Sequence, residues 1–152
     1  MQDIFEQFRN FAVAGFPTVL DFPQWDVSAV YIVFCISKEK EIPIYVGETN
    51  SIRRRIGEYI STNFTMHTNF KVGNAIRYFQ EKRYEVKVKY EVTEYRKERE
   101  DKIKAELQQA GYELLNDLKG YNDKTANEEE ERQRVRVFCD DILRSDPNRT
   151  NS

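Results

Sequence analysis

The sequence predicts an α+β fold: a small three-stranded sheet, antiparallel or mixed, flanked by helices in the order β-β-α-α-β-α, with an extra helix at each end of the chain. Three observations predict it. Two runs rich in β-branched and aromatic residues, 29–36 and 42–47, are joined by the charged stretch Ser37-Lys38-Glu39-Lys40-Glu41 and read as a hairpin. A third run, 84–92, alternates apolar with polar residues and places Tyr84, Val86, Val88 and Tyr90 on one face. Around these strands, apolar side chains recur at the spacing of amphipathic helices.

Each element follows from its own residues. Ile4, Phe5, Phe8, Phe11 and Ala12 give residues 2–13 a helical stripe, which Gly15-Phe16-Pro17 ends. After the hairpin, Asn50 or Ser51 can accept a backbone hydrogen bond at a helix start, and Ile52, Ile56, Tyr59 and Ile60 carry an apolar stripe toward Ser61. Residues 61–72 read as a loop, and 74–82 as a short helix with Ala75, Ile76, Tyr78 and Phe79. A longer helix covers 95–110, with Ile103, Leu107 and Ala110 as its buried edge, and stops at Gly111. Gly120 and Asn122 mark a linker. Beyond it, Glu128 to Arg144 form a helix whose first-turn glutamates suit the positive end of its dipole and whose apolar face is Val135, Phe138, Ile142 and Leu143. The tail from Ser145 is expected to be mobile. The expected organisation is an N-terminal helical extension over 1–28, a core domain over 29–120, and a C-terminal helix and tail over 121–152.

Size and charge limit the function. With 152 residues, 39% of them hydrophobic, the chain is large enough to bury a core without metal or disulfide staples. Its two cysteines, Cys35 and Cys139, have no metal-ligand spacing and read as packed free thiols of a reducing compartment. No apolar run approaches membrane-spanning length and no secretion signal is visible, so the expectation is a cytoplasmic protein without membrane contact. The net charge of -2 excludes bulk electrostatic coating of nucleic acid. Residues 31–107, however, carry sixteen cations against twelve anions, while both ends are acidic.

The chemistry-bearing residues lie in that cationic middle. Tyr31 and Tyr45 place phenols on the two paired strands, and Arg53-Arg54-Arg55 opens the helix that follows. A planar guanidinium fork is suited to clamp a phosphate. On a helical wheel Arg54 points away from the apolar stripe, whereas Arg53 and Arg55 flank it on opposite edges; Arg55 shares its edge with Tyr59. In the 95–110 helix, Glu100 lies about 50° from the centre of the buried edge and Glu98 about 160°, so Glu100 faces inward. Phenols, a fixed cation and a carboxylate together meet the needs of phosphodiester hydrolysis: an activated water, compensation for charge on the nonbridging oxygens, and help for the departing alkoxide.

The order Ala29-Val30-Tyr31, Tyr45-Val46-Gly47, Arg55, Tyr59, Glu100 and Asn116 resembles the GIY-YIG nuclease superfamily from roughly Ala29 to Asn116. Both tyrosines and the second-motif glycine are retained; the first-motif glycine is replaced by Ala29. The resemblance implies a metal-dependent endonuclease acting on DNA, with Mg²⁺ or Mn²⁺. Tyr31 would be the general base or the group orienting the attacking water, a role that needs a nearby cation because a free phenol has a pKa of about 10. Tyr45 would set its proton affinity. Arg55, selected over Arg53 by the family register, would bind the scissile phosphate, and Arg53 would meet DNA backbone. Glu100 would hold the metal, a single carboxylate sufficing when substrate oxygens and water complete the shell. Tyr59 stands where many relatives carry histidine, Gly47 lets the backbone turn closely into the next helix, and Asn116 would brace active-site backbone or a tyrosine. His67, the one histidine, would border the substrate cleft from the 61–72 loop.

One residue conflicts with this scheme. Glu48 puts a carboxylate beside Gly47, where a phosphate would be repelled. The alternative reading is accordingly a catalytically silent nucleic-acid-binding or protein-interaction module on the same fold. Oligomeric state is not legible.

Overall fold

The computed structural model describes residues 11–15 and 27–145 of the 152-residue chain. The hairpin forms as expected: β2 (Ala29–Ser37) pairs antiparallel with β3 (Lys40–Thr49). Lys38 and Glu39 both take positive φ, the conformation of a two-residue turn whose twist matches the flanking strands. The third strand, Glu85–Val92, pairs antiparallel with the other side of β2. Every residue from Ala29 to Cys35 is consequently fully buried, because β2 has a strand on each edge and packed side chains on each face.

The N-terminal expectation is corrected. Ala12 and Val13, assigned to a helix, belong to a short strand, β1 (Ala12–Gly15), which pairs antiparallel with the free edge of Glu85–Val92. An exposed strand edge offers unpaired backbone donors and acceptors, and four residues of ladder outweigh a helical stripe. The remainder of that expected helix, 2–10, lies outside the described residues. With Glu85–Val92 numbered β4, the sheet has, among the described residues, four antiparallel strands in the order β1-β4-β2-β3.

Helices cover both faces. On one, α1 (Ile52–Ser61), α2 (His67–Glu81) and α4 (Glu128–Ser145) enclose a core with Val33, Ile44, Ile56, Ile76 and Val88. On the other, α3 (Arg96–Gln109) lays Ile103 and Leu107 against Val30, Ile32, Phe34 and Val46. Ala110, expected on that buried edge, caps the helix and is exposed. Chain reversal follows at Gly111, with φ of 98°. A single 3-10 turn, Leu115–Asp117, precedes the stretch to α4, whose Val135, Cys139 and Ile142 join the same core as the sheet. Tyr78 on α2 donates its hydroxyl proton to Asp140 on α4, at 2.9 Å.

α2 starts at His67, two turns before the expected helix, so only 62–66 are loop. Its early turns look polar in sequence because Asn69 and Asn74 are buried and hydrogen-bonded. Gly73 suggests a breaker, yet it lets two helices approach: a Cβ there would overlap the Tyr59 carbonyl oxygen and lie 2.7 Å from Thr62 Cγ2. Ser51 occupies the cap position of α1 without a capping side-chain bond; instead Thr49 Oγ1 accepts its backbone N–H at 3.1 Å.

Candidate active site

A bulge in β3 aligns the two strand phenols. Strict alternation would send Tyr45 to the face opposite Ile44, but the register shifts between Val33 and Phe34, and Ile44 is the extra residue. Ile44 and Tyr45 therefore point to the same face as Tyr31, and Gly47 follows on that face directly opposite Tyr31. The ring centroids of Tyr31 and Tyr45 are 6.3 Å apart.

Gly47 lies within β3 and not at a turn after it, which corrects its expected role. Its function is clearance. A Cβ at this position would sit inside the Tyr31 phenol and 2.9 Å from Tyr45 Cε2, so the phenol lies over bare backbone.

Tyr59 comes from α1, where Ile56 and Ile52 face the same core one and two turns earlier. Its ring completes a near-equilateral triangle, 6.5 Å from Tyr31 and 6.4 Å from Tyr45, and its hydroxyl shares a hydrogen bond with that of Tyr31. Arg55, one turn before Tyr59, lays its guanidinium over the Tyr59 ring at 5.0 Å. Arg55 Nη1 donates to Asn69 Oδ1 at 2.6 Å and to Glu58 Oε2 at 3.1 Å, and Asn69 Nδ2 donates to the same Glu58 oxygen at 3.3 Å.

Burial controls the protonation of this cluster. It raises the pKa of Tyr31 above the ordinary phenol range, Tyr45 adds to the rise, and the Arg55 cation opposes it. Tyr59 is raised well above that range, again by burial first. Tyr45 is raised by burial, with Arg55 pulling down and the Glu100 carboxylate pushing up. All three phenols are thus neutral at physiological pH, because desolvation of the phenolate outweighs the attraction of the cation.

Glu100 lies on α3, over the other face of the sheet, and acts on the cluster through its charge at Tyr45. It can do so because β3 is an edge strand and Tyr45 sits on it, half-buried. The wheel assignment is correct: the Glu100 side chain is 12% exposed, whereas Glu98 is exposed to solvent. Lys97 Nζ pairs with Glu100 Oε1 at 3.0 Å.

Asn116 does brace backbone. It sits in the 3-10 turn beside the open edge of β3, accepts the Val46 N–H at 3.0 Å and donates to the Val46 carbonyl at 2.7 Å. One side-chain amide thereby replaces a neighbouring strand between Tyr45 and Gly47. Glu48 is also explained. It points to the α3 face, where Arg96 Nε meets Oε2 at 2.5 Å and Arg96 Nη1 also reaches Ser28 Oγ at 3.1 Å. The carboxylate is neutralised on the far side of the sheet from the phenols.

The structure gathers Tyr31, Tyr45, Gly47, Arg55 and Tyr59 at one end of the β2–β3 pair; Asn116 braces Val46 at the β3 edge, and Glu100 meets the group through its charge at Tyr45. Arg53 and His67 stand apart from this group. Arg53 is half-buried on the edge of α1 away from Tyr59. His67 is the first residue of α2, not a loop residue; its ring packs 4.3 Å from that of Tyr121, and Nε2 lies 3.4 Å from Asp123. Asn69 and Glu58 escaped the sequence reading. Glu58 carried one usable signal, its position three residues after Arg55; a buried asparagine in a polar-looking stretch carried none.

Among the described residues no cluster of three or more His, Cys, Asp or Glu side chains is placed to hold a metal, and no helix is long and apolar enough to cross a membrane. Comparison with curated proteins and with solved structures yields no match. The model of the GIY-YIG catalytic domain matches residues 27–113, more than half of the chain, and Tyr31, Tyr45, Arg55, Tyr59 and Glu100 lie within that span. With a nuclease-type fold and this match, the chain belongs to the GIY-YIG nuclease superfamily.

Proposed function

We propose that the protein is a metal-dependent endonuclease that hydrolyses DNA phosphodiester bonds. The observation that carries this reading is the convergence of three phenols, the Arg55 guanidinium and the charge of Glu100 on one end of the sheet. GIY-YIG nucleases as a group act on DNA. In this reading Arg55 takes the scissile phosphate, and its charge compensates the oxygens of the transition state. Tyr31 orients the attacking water or receives its proton. Since Tyr31 begins as a neutral phenol, it serves as a base only when added positive charge stabilises its phenolate. Tyr45, the half-buried member of the triangle, links Tyr31 to the Glu100 side of the site.

The donor set fits a metal of one kind. A carboxylate that belongs to no cluster of three or more His, Cys, Asp or Glu among the described residues suits Mg²⁺ or Mn²⁺ that keeps most of its waters and takes substrate oxygens, and does not suit an ion caged by protein alone. Glu100 would hold it, exchanging its bond to the exposed Lys97. Such an ion supplies Lewis acidity and a lowered water pKa at the reacting phosphate.

Incubating the pure protein with supercoiled plasmid and Mg²⁺, beside Arg55→Ala and Glu100→Ala variants, tests the proposal. Nicking by the parent that needs the metal and fails in both variants supports it. Salt-sensitive DNA binding with no nicking by the parent overturns it and leaves a catalytically silent module.

A further inference from the structure

Arg55 is held by a closed ring of side chains that no sequence motif announces. Its Nη1 donates to Asn69 Oδ1 (2.6 Å) and Glu58 Oε2 (3.1 Å), and Asn69 Nδ2 closes the ring onto Glu58 (3.3 Å). The three residues differ in exposure. Asn69 is 2% exposed, whereas the Arg55 and Glu58 side chains retain 23% and 32%. A buried amide is tolerated only when its donors and acceptors are matched, and Asn69 is matched on both sides: Arg55 at Oδ1, and Glu58 with Met66 Sδ at Nδ2.

We infer that Asn69, acting with Glu58, is a positioning residue for Arg55. Without it the arginine has several free torsions and a guanidinium held from one side only, by the weak pair with Glu58. With it, the Nη1 end of the fork is pinned from α2 while the plane rests on Tyr59, which fixes both the position and the rotation of the group. A cation oriented before substrate arrives does not reorganise as charge develops on the phosphate. Asn69 touches neither substrate nor reacting atoms in this assignment; it works through Arg55. Glu58 alone would be a poor substitute, since a partly exposed i,i+3 ion pair is weak and leaves the arginine mobile. The inference about catalysis rests on the nuclease reading above, but the inference about Arg55 does not.

The test has two arms. In the first, ¹⁵N NMR of the guanidinium follows rotation of Arg55, whose signal is identified by its loss in Arg55→Lys. Slow rotation is expected in the parent and fast rotation in Asn69→Ala. The double variant Glu58→Ala with Asn69→Asp keeps an acceptor for Arg55 Nη1 at the Asn69 Oδ1 position, removes the Glu58 carboxylate that an aspartate there would otherwise face, and is expected to restore slow rotation. In the second arm, plasmid cleavage by Asn69→Ala falls 10- to 100-fold in kcat with KM within twofold, and the double variant recovers to within about fivefold. Unchanged Arg55 rotation in Asn69→Ala overturns the inference, as does an unrecovered double variant whose melting temperature equals the parent's. If the parent cleaves no DNA, the nuclease reading fails while the NMR arm still decides whether Asn69 holds Arg55.

Discussion

Arg55 and Glu100 present opposite charges to Tyr45, yet the side chains around them differ in kind. Arg55 is gripped by the buried Asn69, by Glu58 and by the Tyr59 ring. Glu100 is paired with Lys97, whose side chain is 69% exposed and free to move aside. The first arrangement suits a group whose ligand must find it already in place. The second suits a carboxylate that exchanges one cation for another. In the proposed chemistry this difference separates the permanent part of the site from the part completed when DNA and metal arrive.

The largest expected effect breaks each side in turn. Arg55→Ala removes a preorganised donor and is expected to lower cleavage by about 10²- to 10³-fold. Raising Mg²⁺ tenfold is not expected to restore it, because in the proposed scheme Arg55 and not the metal takes that place. Glu100→Asp shortens the carboxylate without removing it, and its loss is expected to shrink as Mg²⁺ is raised. Plasmid cleavage over a Mg²⁺ titration measures both, and equal metal response in the two variants would contradict the contrast.

A second effect reads burial on the Arg55 side. Tyr31 and Tyr59 hold their protons more tightly folded than unfolded, since burial raises both pKa values. Their contribution is full below the unfolded value of about 10 and is lost as pH rises toward the folded values. Between pH 10 and 11 each costs about 1 kcal/mol of stability. Tyr59→Phe is expected to flatten this alkaline loss, measured by denaturant melts at the two pH values. Tyr95→Phe, at a tyrosine 68% exposed, leaves it unchanged.

Gly47 tests the surface shared by both sides. Gly47→Ala forces a Cβ against the Tyr31 phenol and is expected to destabilise by about 1–3 kcal/mol. Adding Tyr31→Phe recovers part of that loss in a thermal melt, because it removes one of the atoms in collision. If the double variant is no more stable than Gly47→Ala, the clash lies elsewhere.

How far the sequence foretold this molecule depends on which residues make their own pattern. β4, α3 and α4 alternate or repeat clearly, and the wheel separated Glu100 from Glu98 correctly. β1 was illegible because four residues become a strand only where β4 leaves an edge to pair with. The start of α2 was hidden by Gly73 and by two asparagines that act as core residues once hydrogen-bonded. The bulge at Ile44 was hidden by composition: Ile42-Pro43-Ile44-Tyr45-Val46 is apolar throughout, so period two cannot say which face Tyr45 takes. Gly47 was correctly singled out but for a turn, since sequence shows a missing side chain and not the phenol above it. Asn69 was illegible because its partner Arg55 lies 14 residues earlier, on another helix, and no spacing rule links the two.

The smallest expected effect concerns what holds Glu100's helix. Arg96 ties the first turn of α3 to Glu48 on β3 and Ser28 before β2, and Glu100 stands one turn later. Both partners of the ion pair are about a third exposed, so Arg96→Ala is expected to cost under about 1 kcal/mol of stability. Its consequence lies in metal use: a helix less firmly placed presents its carboxylate less well, and the Mg²⁺ needed for half-maximal cleavage rises severalfold while kcat at saturating metal is nearly kept. Lys97→Ala is expected to move the same midpoint the other way, because Glu100 then has no resident ammonium to exchange. Opposite shifts from two neighbouring lysine and arginine substitutions separate placement of the carboxylate from competition for it. Shifts of the same sign would mean that both cations merely tune local potential, and the Glu100 side would then be no more adaptable than the Arg55 side.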